Sequence, residues 1–220
     1  MMKVLLSILI PSTPDRLKDL SKLLECISLQ AYTRKVDMFD VKGITASRYW
    51  DILSEVEVIV FEDKKIMTIG EKRELLYKHA KGLYSWQIDS DDLIATNAIE
   101  LILKAIKENP DVDVISFEEY VNIDGKEYKS NHSNEYYDWE GDGNIVLSDG
   151  FHFHRTIFFK DVIRTELAKS VPVPKLRWAE DHEYAKLLKP LIQSEKHISE
   201  QIYRYIHISS DYNERYGFKN

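Results

Sequence analysis

An α/β fold built on a mostly parallel central sheet is what this sequence predicts, and three observations carry it. Strand-like and helix-like segments alternate through the first half of the chain. The opening run, Val4 to Ile10, is continuously apolar, as expected of a strand covered on both faces. The intervening segments are long enough for crossover connections, which are right-handed when they join parallel strands.

The elements follow in order. Asp15 to Gln30 carries Leu17, Leu20, Leu23, Leu24 and Ile27 at helical spacing. Residues 32 to 54 show no clear period and are expected to form an irregular or partly helical connection. Val56 to Phe61 is a second strand ending at Glu62-Asp63, and Glu71 to Lys81 is a helix stopped by Gly82. Tyr84 to Ile88 is a third strand that runs into Asp89-Ser90-Asp91-Asp92. Ala95 to Lys107 is a helix closed by Asn109-Pro110, and Val112 to Phe117 a fourth strand. Beyond Glu118 the texture changes. Asp124-Gly125 between short alternating runs signals a hairpin. Residues 130 to 150 are polar and are expected to loop near the active site. Phe151 to Phe159 is strand-like, with core packing the expectation for its phenylalanines. Asp161 to Lys169 and Glu180 to Leu188 are helical, and Ile198 to Ile208 is a late strand. No repeat or linker interrupts the chain, so residues 1–220 are expected to form a single domain.

The chain has 220 residues, with 30 Lys and Arg against 37 Asp and Glu, a formal charge of -7. That balance disfavours a nucleic-acid acceptor, which needs a basic face, unless a local groove supplies one. The single cysteine, Cys26, rules out an intrachain disulfide or a cysteine-based zinc site and predicts a reducing, cytoplasmic setting. Met1-Met2-Lys3 and the apolar run after it lack a cleavage pattern, and no apolar stretch is long enough to span a bilayer. Any membrane association is expected to be peripheral, at the inner face.

Four features carry chemistry. Asp89-Ser90-Asp91-Asp92 stands at the carboxyl end of a strand, where ligands bind in open α/β sheets. Two carboxylates about 5 Å apart repel by about 3 kcal/mol at an effective dielectric of about 20. A hard cation would offset this; the competing reading is an acidic turn capping the helix from Ala95. Glu180-Asp181 opens a helix, either as complement to its dipole or as a general base beside Trp178. Lys72 and Arg73 follow Gly70 at a helix start, either holding a diphosphate or lying on a solvated face. Asp63, at the end of the second strand, is either a contact to a nucleobase or a turn residue. His152 and His154 share one face of a strand, as do Tyr203, Tyr205 and His207 on the last strand.

Taken together, the order and spacing of these pieces resemble the family-2 glycosyltransferases of the GT-A fold. The residues that carry the likeness are Ser7 to Thr13, Val56 to Asp63, Gly70 to Arg73 with Ala80 to Tyr84, the DxD-like Asp89 to Asp92, the ED-like Glu180-Asp181, and Ile202 to His207 with Ser209-Ser210. Glu74 stands where that family often has Asn, and residues 32 to 54 fit poorly. The resemblance implies a Rossmann-like GT-A domain. Residues 1–118 would form the nucleotide-sugar and metal half, and residues 119–220 a smaller mixed acceptor-side region. It implies an inverting, metal-dependent transfer of a sugar from a nucleotide-diphosphate sugar to an acceptor hydroxyl, on a glycan, a lipid-linked or another acceptor. Pro11, Ser12, Thr13, Asp63, Lys72, Arg73, Asp89 and Ser90 would line the donor. Asp89, Asp91 and His207 would hold Mn²⁺ or Mg²⁺, and Asp181, with Glu180 beside it, would be the base. Two other readings use the same residues: a nucleotidyltransferase or pyrophosphohydrolase, and a non-catalytic sugar-binding protein.

Overall fold

A computed structural model of the chain describes residues 4–31, 34–41, 44–51 and 55–209. Met1 to Lys3 and Ser210, which entered the sequence reading, lie outside the described residues.

Strand β1 (Leu6–Ser12) is buried along its whole length. Leu6, Ile8 and Ile10 enter one core cluster and Leu9 the other, so the strand's two-residue period feeds both faces of the sheet. Each such side chain contributes about 1.5–3 kcal/mol of burial. A 3-10 turn at Pro14–Arg16 leads into α1 (Leu17–Ala31), which buries Leu20, Leu23, Ile27 and Ala31.

Residues 32 to 54 differ from expectation. They hold two strands, β2 (Arg34–Val41) and β3 (Ile44–Trp50), paired antiparallel with each other. β3 also pairs antiparallel with β4 (Val56–Glu62), which runs parallel to β1. A buried ion pair, Arg48 Nε to Glu57 at 3.1 Å, ties β3 to β4. The hairpin was illegible because its pairing, not an alternating pattern, defines it.

Helix α2 (Ile69–His79) begins two residues earlier than predicted, because Thr68 and Glu71 form a capping box. It ends with Ala80, not Gly82, as its C-cap. Gly82 is needed for a different reason: a Cβ there would meet the Ser7 backbone nitrogen at 2.5 Å. β5 (Tyr84–Gln87) lies parallel on the other side of β1, and the two-residue β6 (Leu93–Ile94) follows the acidic cluster. Helix α3 (Ala98–Glu108) then leads to β7 (Val114–Ile123), which forms the expected hairpin with β8 (Lys126–His132) around Asp124-Gly125.

Only β9 (Phe153–Arg155) is extended within residues 151–159, and Phe153, Phe158 and Phe159 are buried. Part of the helix expected over Asp161 to Lys169 is instead β10 (Val162–Arg164), before the short α4 (Thr165–Ser170). β10 inserts antiparallel between β5 and β7. Helix α5 (Glu180–Leu188) has its predicted bounds, and β11 (Glu195–His207) runs parallel to β7 with a register shift near Gln201.

The sheet order is β2-β3-β4-β1-β5-β10-β7-β11-β6. Strands β4, β1, β5, β7 and β11 point the same way, while β3, β10 and β6 run against them, so the sheet is mixed as a whole. Residues of α1 and α3 fill the core on one face, and those of α2, α4 and α5 the core on the other. Among the described residues no helix is long and apolar enough to cross a membrane.

Candidate active site

The carboxyl ends of β1, β4 and β5 form one edge, and four sequence-distant segments meet there. The turn after β1 supplies Arg16, α2 supplies Lys72 and Arg73, β5 leads into Asp89 to Asp92, and α5 starts with Glu180.

Lys72 and Arg73 are both buried, which removes the solvated-face reading. Lys72 Nζ lies 2.6 Å from Asp63 and donates to the Ser12 carbonyl at 3.2 Å. The second Asp63 oxygen accepts from Met67 N–H at 2.8 Å. Burial pushes the Asp63 carboxyl up, but Lys72 and the Met67 N–H outweigh it and hold it below its ordinary value. With its side chain fully buried, Asp63 here anchors Lys72 beneath the end of β1, where Pro11 and Ser12 are still strand and Thr13 follows. Ser12 and Ser90 are buried as well.

Arg73 is the hub. Its Nε donates to Glu180 at 3.1 Å, one terminal nitrogen to Gln87 at 3.2 Å and the other to Asp89 at 2.8 Å. The guanidinium also lies 4.7 Å over the Phe159 ring. Burial opposes its charge, but Asp89 and Glu180 hold it firmly protonated. Glu180 is itself pushed above its ordinary value by burial, which Arg73 only partly offsets. Glu180 is therefore more than a surface complement to the α5 dipole. Asp181 is half-buried next to it and accepts from His182 N–H at 2.8 Å. Ala179, just before, adopts a left-handed backbone with φ of 60°.

The acidic cluster does not cap a helix: α3 starts at Ala98 with Asn97 as its N-cap. Each carboxylate instead has its own cation. Asp89 pairs with Arg73, Asp91 with Arg16 at 3.0 Å, and Asp92 with Lys160 at 3.2 Å. Burial and the neighbouring Asp89 push Asp91 above its ordinary value, although its side chain stays 29% exposed.

Behind the cluster lies a buried charge network absent from the sequence reading. Asp92 also accepts from the Tyr203 hydroxyl at 2.7 Å and from Ile206 N–H at 2.9 Å. Lys160 reaches Glu119 at 3.3 Å and sits over the rings of Tyr203 and Tyr205. His132 bridges Glu119 and Asp161, at 3.2 Å from each. Burial pushes Asp92 up to about 7. Glu119 falls to about 2 because Lys160 outweighs its burial. His132 rises to about 9 because Asp161 and Glu119 outweigh its burial. Asp92, Tyr203 and Tyr205 carried a sequence signal; Lys160, Glu119 and His132 have none.

The expected metal trio of Asp89, Asp91 and His207 is not assembled. Among the described residues no three His, Cys, Asp or Glu side chains converge as a metal cluster. His207 pairs with Ile123 at the far end of β7, and its Nδ1 meets the Tyr205 hydroxyl at 3.3 Å. Asp89 and Asp91 alone retain the hard oxygen donors and the mutual crowding that suit a divalent cation. His154 serves the neighbouring loop, stacking on Tyr136 and meeting Asp149 at 2.8 Å, while His152 accepts from the Lys129 N–H of β8 at 3.2 Å. Glu74 pairs with Lys78 on the surface of α2, so its departure from the expected Asn leaves the site untouched.

The fold is GT-A-like, a mixed α/β sheet with helices on both faces. The chain is similar in three dimensions to a crystal structure of S. aureus TarS 1-349, at 18% identity over 93% of this chain and 60% of that one, with a TM-score of 0.62. The same TarS piece in complex with UDP matches at 18% identity, over 97% and 63% of the two chains, with a TM-score of 0.58. The complex with UDP-GlcNAc matches at 17% identity, over 93% and 58%, with a TM-score of 0.57. The chain thus spans about three-fifths of the length of these structures. No protein-family model and no curated protein sequence matches the chain.

Proposed function

We propose that the protein transfers a glycosyl group from a nucleoside-diphosphate sugar to an acceptor hydroxyl by a single, inverting displacement. The observation that carries this reading is Arg73, which bonds Asp89 of the first acidic motif and Glu180 of the second at once. The shared contact supports a donor and an acceptor meeting over one strand edge. The TarS complexes with UDP and UDP-GlcNAc support a uridine nucleotide as the first donor to try.

In this reading Lys72 and Arg73 add positive potential beneath the diphosphate. Asp89 and Asp91 would hold a divalent cation there, since hard cations favour carboxylate oxygens. Bound there, the cation would stabilise negative charge on the leaving diphosphate. Asp181 accepts the proton of the attacking hydroxyl, and Glu180, locked by Arg73, fixes the first turn of α5 so that Asp181 stays in reach. The domain reading, one unit with a donor half and an acceptor half, belongs to the same proposal.

The test is nucleotide binding followed by product analysis. UDP, GDP, CDP and dTDP are added with Mn²⁺ to the wild type and to Asp91→Asn. A nucleotide at about 100 times its dissociation constant stabilises by about 2.7 kcal/mol, a shift of several degrees. A metal-dependent shift lost in Asp91→Asn, with nucleoside diphosphate released from the sugar donor, is expected. Release of pyrophosphate from a sugar phosphate and a nucleoside triphosphate would replace this reading with a nucleotidyltransferase.

A further inference from the structure

Four cations around the site are paired with carboxylates: Arg16, Lys72, Arg73 and Lys160, at 2.6–3.3 Å. Arg155 is not. Among the described residues no carboxylate lies within ion-pair distance of it. One terminal nitrogen donates to the carbonyls of Glu140, at 2.9 Å, and His154, at 2.8 Å, which fix the group without neutralising it. Its guanidinium lies 5.2 Å from the Trp139 ring centre and 4.7 Å from that of Phe153. The remaining nitrogens of the fork make no hydrogen bond among the described residues.

The surroundings say which side of the reaction this cation serves. Trp139 packs against Phe158 and against His182, the neighbour of Asp181. His182 in turn bonds Asp138 at 2.8 Å. The loop that holds Arg155 is thereby joined to the first turn of α5. Burial lowers the Arg155 guanidinium from its ordinary value, and the fields of Glu119, Tyr205 and Asp181 restore only part of it. A held, half-buried guanidinium that is linked through Trp139 and His182 to the start of α5, and that lacks a carboxylate partner among the described residues, suits an oxyanion, because a planar fork favours bidentate partners.

We propose that Arg155 binds an anionic group, phosphate or carboxylate, carried by the acceptor near the hydroxyl that Asp181 deprotonates. This rests on the glycosyltransferase reading and narrows its acceptor class. On a chain of net charge -7, an anionic acceptor needs such a local cation.

The experiment is calorimetric titration of inorganic phosphate, and separately of acetate, into the wild type, Arg155→Lys and Arg155→Gln. Each is run with and without saturating UDP and Mg²⁺, and thermal melting checks that the variants fold. Saturable phosphate or acetate binding on top of UDP, weakened at least about tenfold in Arg155→Gln and less in Arg155→Lys, is expected. The better anion names a phosphate-bearing or a carboxylate-bearing acceptor. Equal affinity in Arg155→Gln, no saturable binding, or binding only without UDP would overturn the proposal; the last would move Arg155 to the diphosphate. Failure of UDP itself to bind the wild type would instead strike the donor reading, while the nucleotide-free arm still reports on Arg155.

Discussion

Arg73 and Glu180 stand 107 positions apart in sequence, and in the fold the Nε of the first donates to the carboxylate of the second at 3.1 Å. Because Arg73 also grips Asp89, one buried guanidinium sets the distance between the two acidic motifs. Removing it leaves two carboxylates and Gln87 facing an empty pocket. Arg73→Met should destabilise by about 3–5 kcal/mol. At roughly 2–4 °C per kcal/mol for a chain of this size, the melting temperature should fall by about 10 °C. Arg73→Met with Glu180→Gln should recover part of the loss, a coupling that a double-mutant cycle reads directly.

Asp181 carries no such structural burden. It is half-buried and its recorded bond is to the adjacent His182 N–H. Asp181→Asn should melt within a few degrees of wild type and bind UDP with unchanged affinity. Sugar transfer should fall about 10²–10⁴-fold, the usual contribution of a general base. Full activity in Asp181→Asn would remove this residue from the chemistry.

Stability should fall as pH rises. His132 rises from 6.5 to about 9 in the fold, so its contribution is complete below about pH 6.5 and is lost as pH rises through about 9. Asp92, raised from 3.8 to about 7, binds its proton more tightly when folded, so it works in the same direction between about pH 4 and 7. Glu119, lowered from 4.5 to about 2, works oppositely, contributing above about pH 4.5 and losing that contribution as pH falls through about 2. Urea midpoints should therefore decline from pH 6 to pH 9. His132→Gln should be less stable at pH 6 and show a flatter profile above it.

The approach of α2 to the loop before α5 depends on Gly70. A Cβ there would lie 1.8 Å from the Pro174 carbonyl oxygen, and the Gly70 N–H donates to the Leu176 carbonyl at 3.3 Å. Gly70→Ala should cost about 1–3 kcal/mol through overpacking. It should also displace the Pro172 to Ala179 segment that leads into Glu180, so sugar transfer should fall further than UDP binding does.

What the sequence by itself determined is whatever local composition and short-range spacing encode. The apolar period of β1, the helical spacing of α1, the Asp124-Gly125 turn and the bounds of α5 were all legible, as were the acidic motifs at Asp89 and Glu180. Tertiary structure decided the rest. The β2–β3 hairpin exists through its pairing with β4, and the three residues of β10 are too few to show any period. Lys72, Arg73, Lys160 and His132 look in sequence like ordinary surface residues. A charged side chain can leave water only when opposite charges and hydrogen bonds compensate the lost hydration, and here those partners come from segments far away in the chain. Which charges are paired, and that Arg155 is left without a carboxylate among the described residues, is therefore a property of the folded molecule alone.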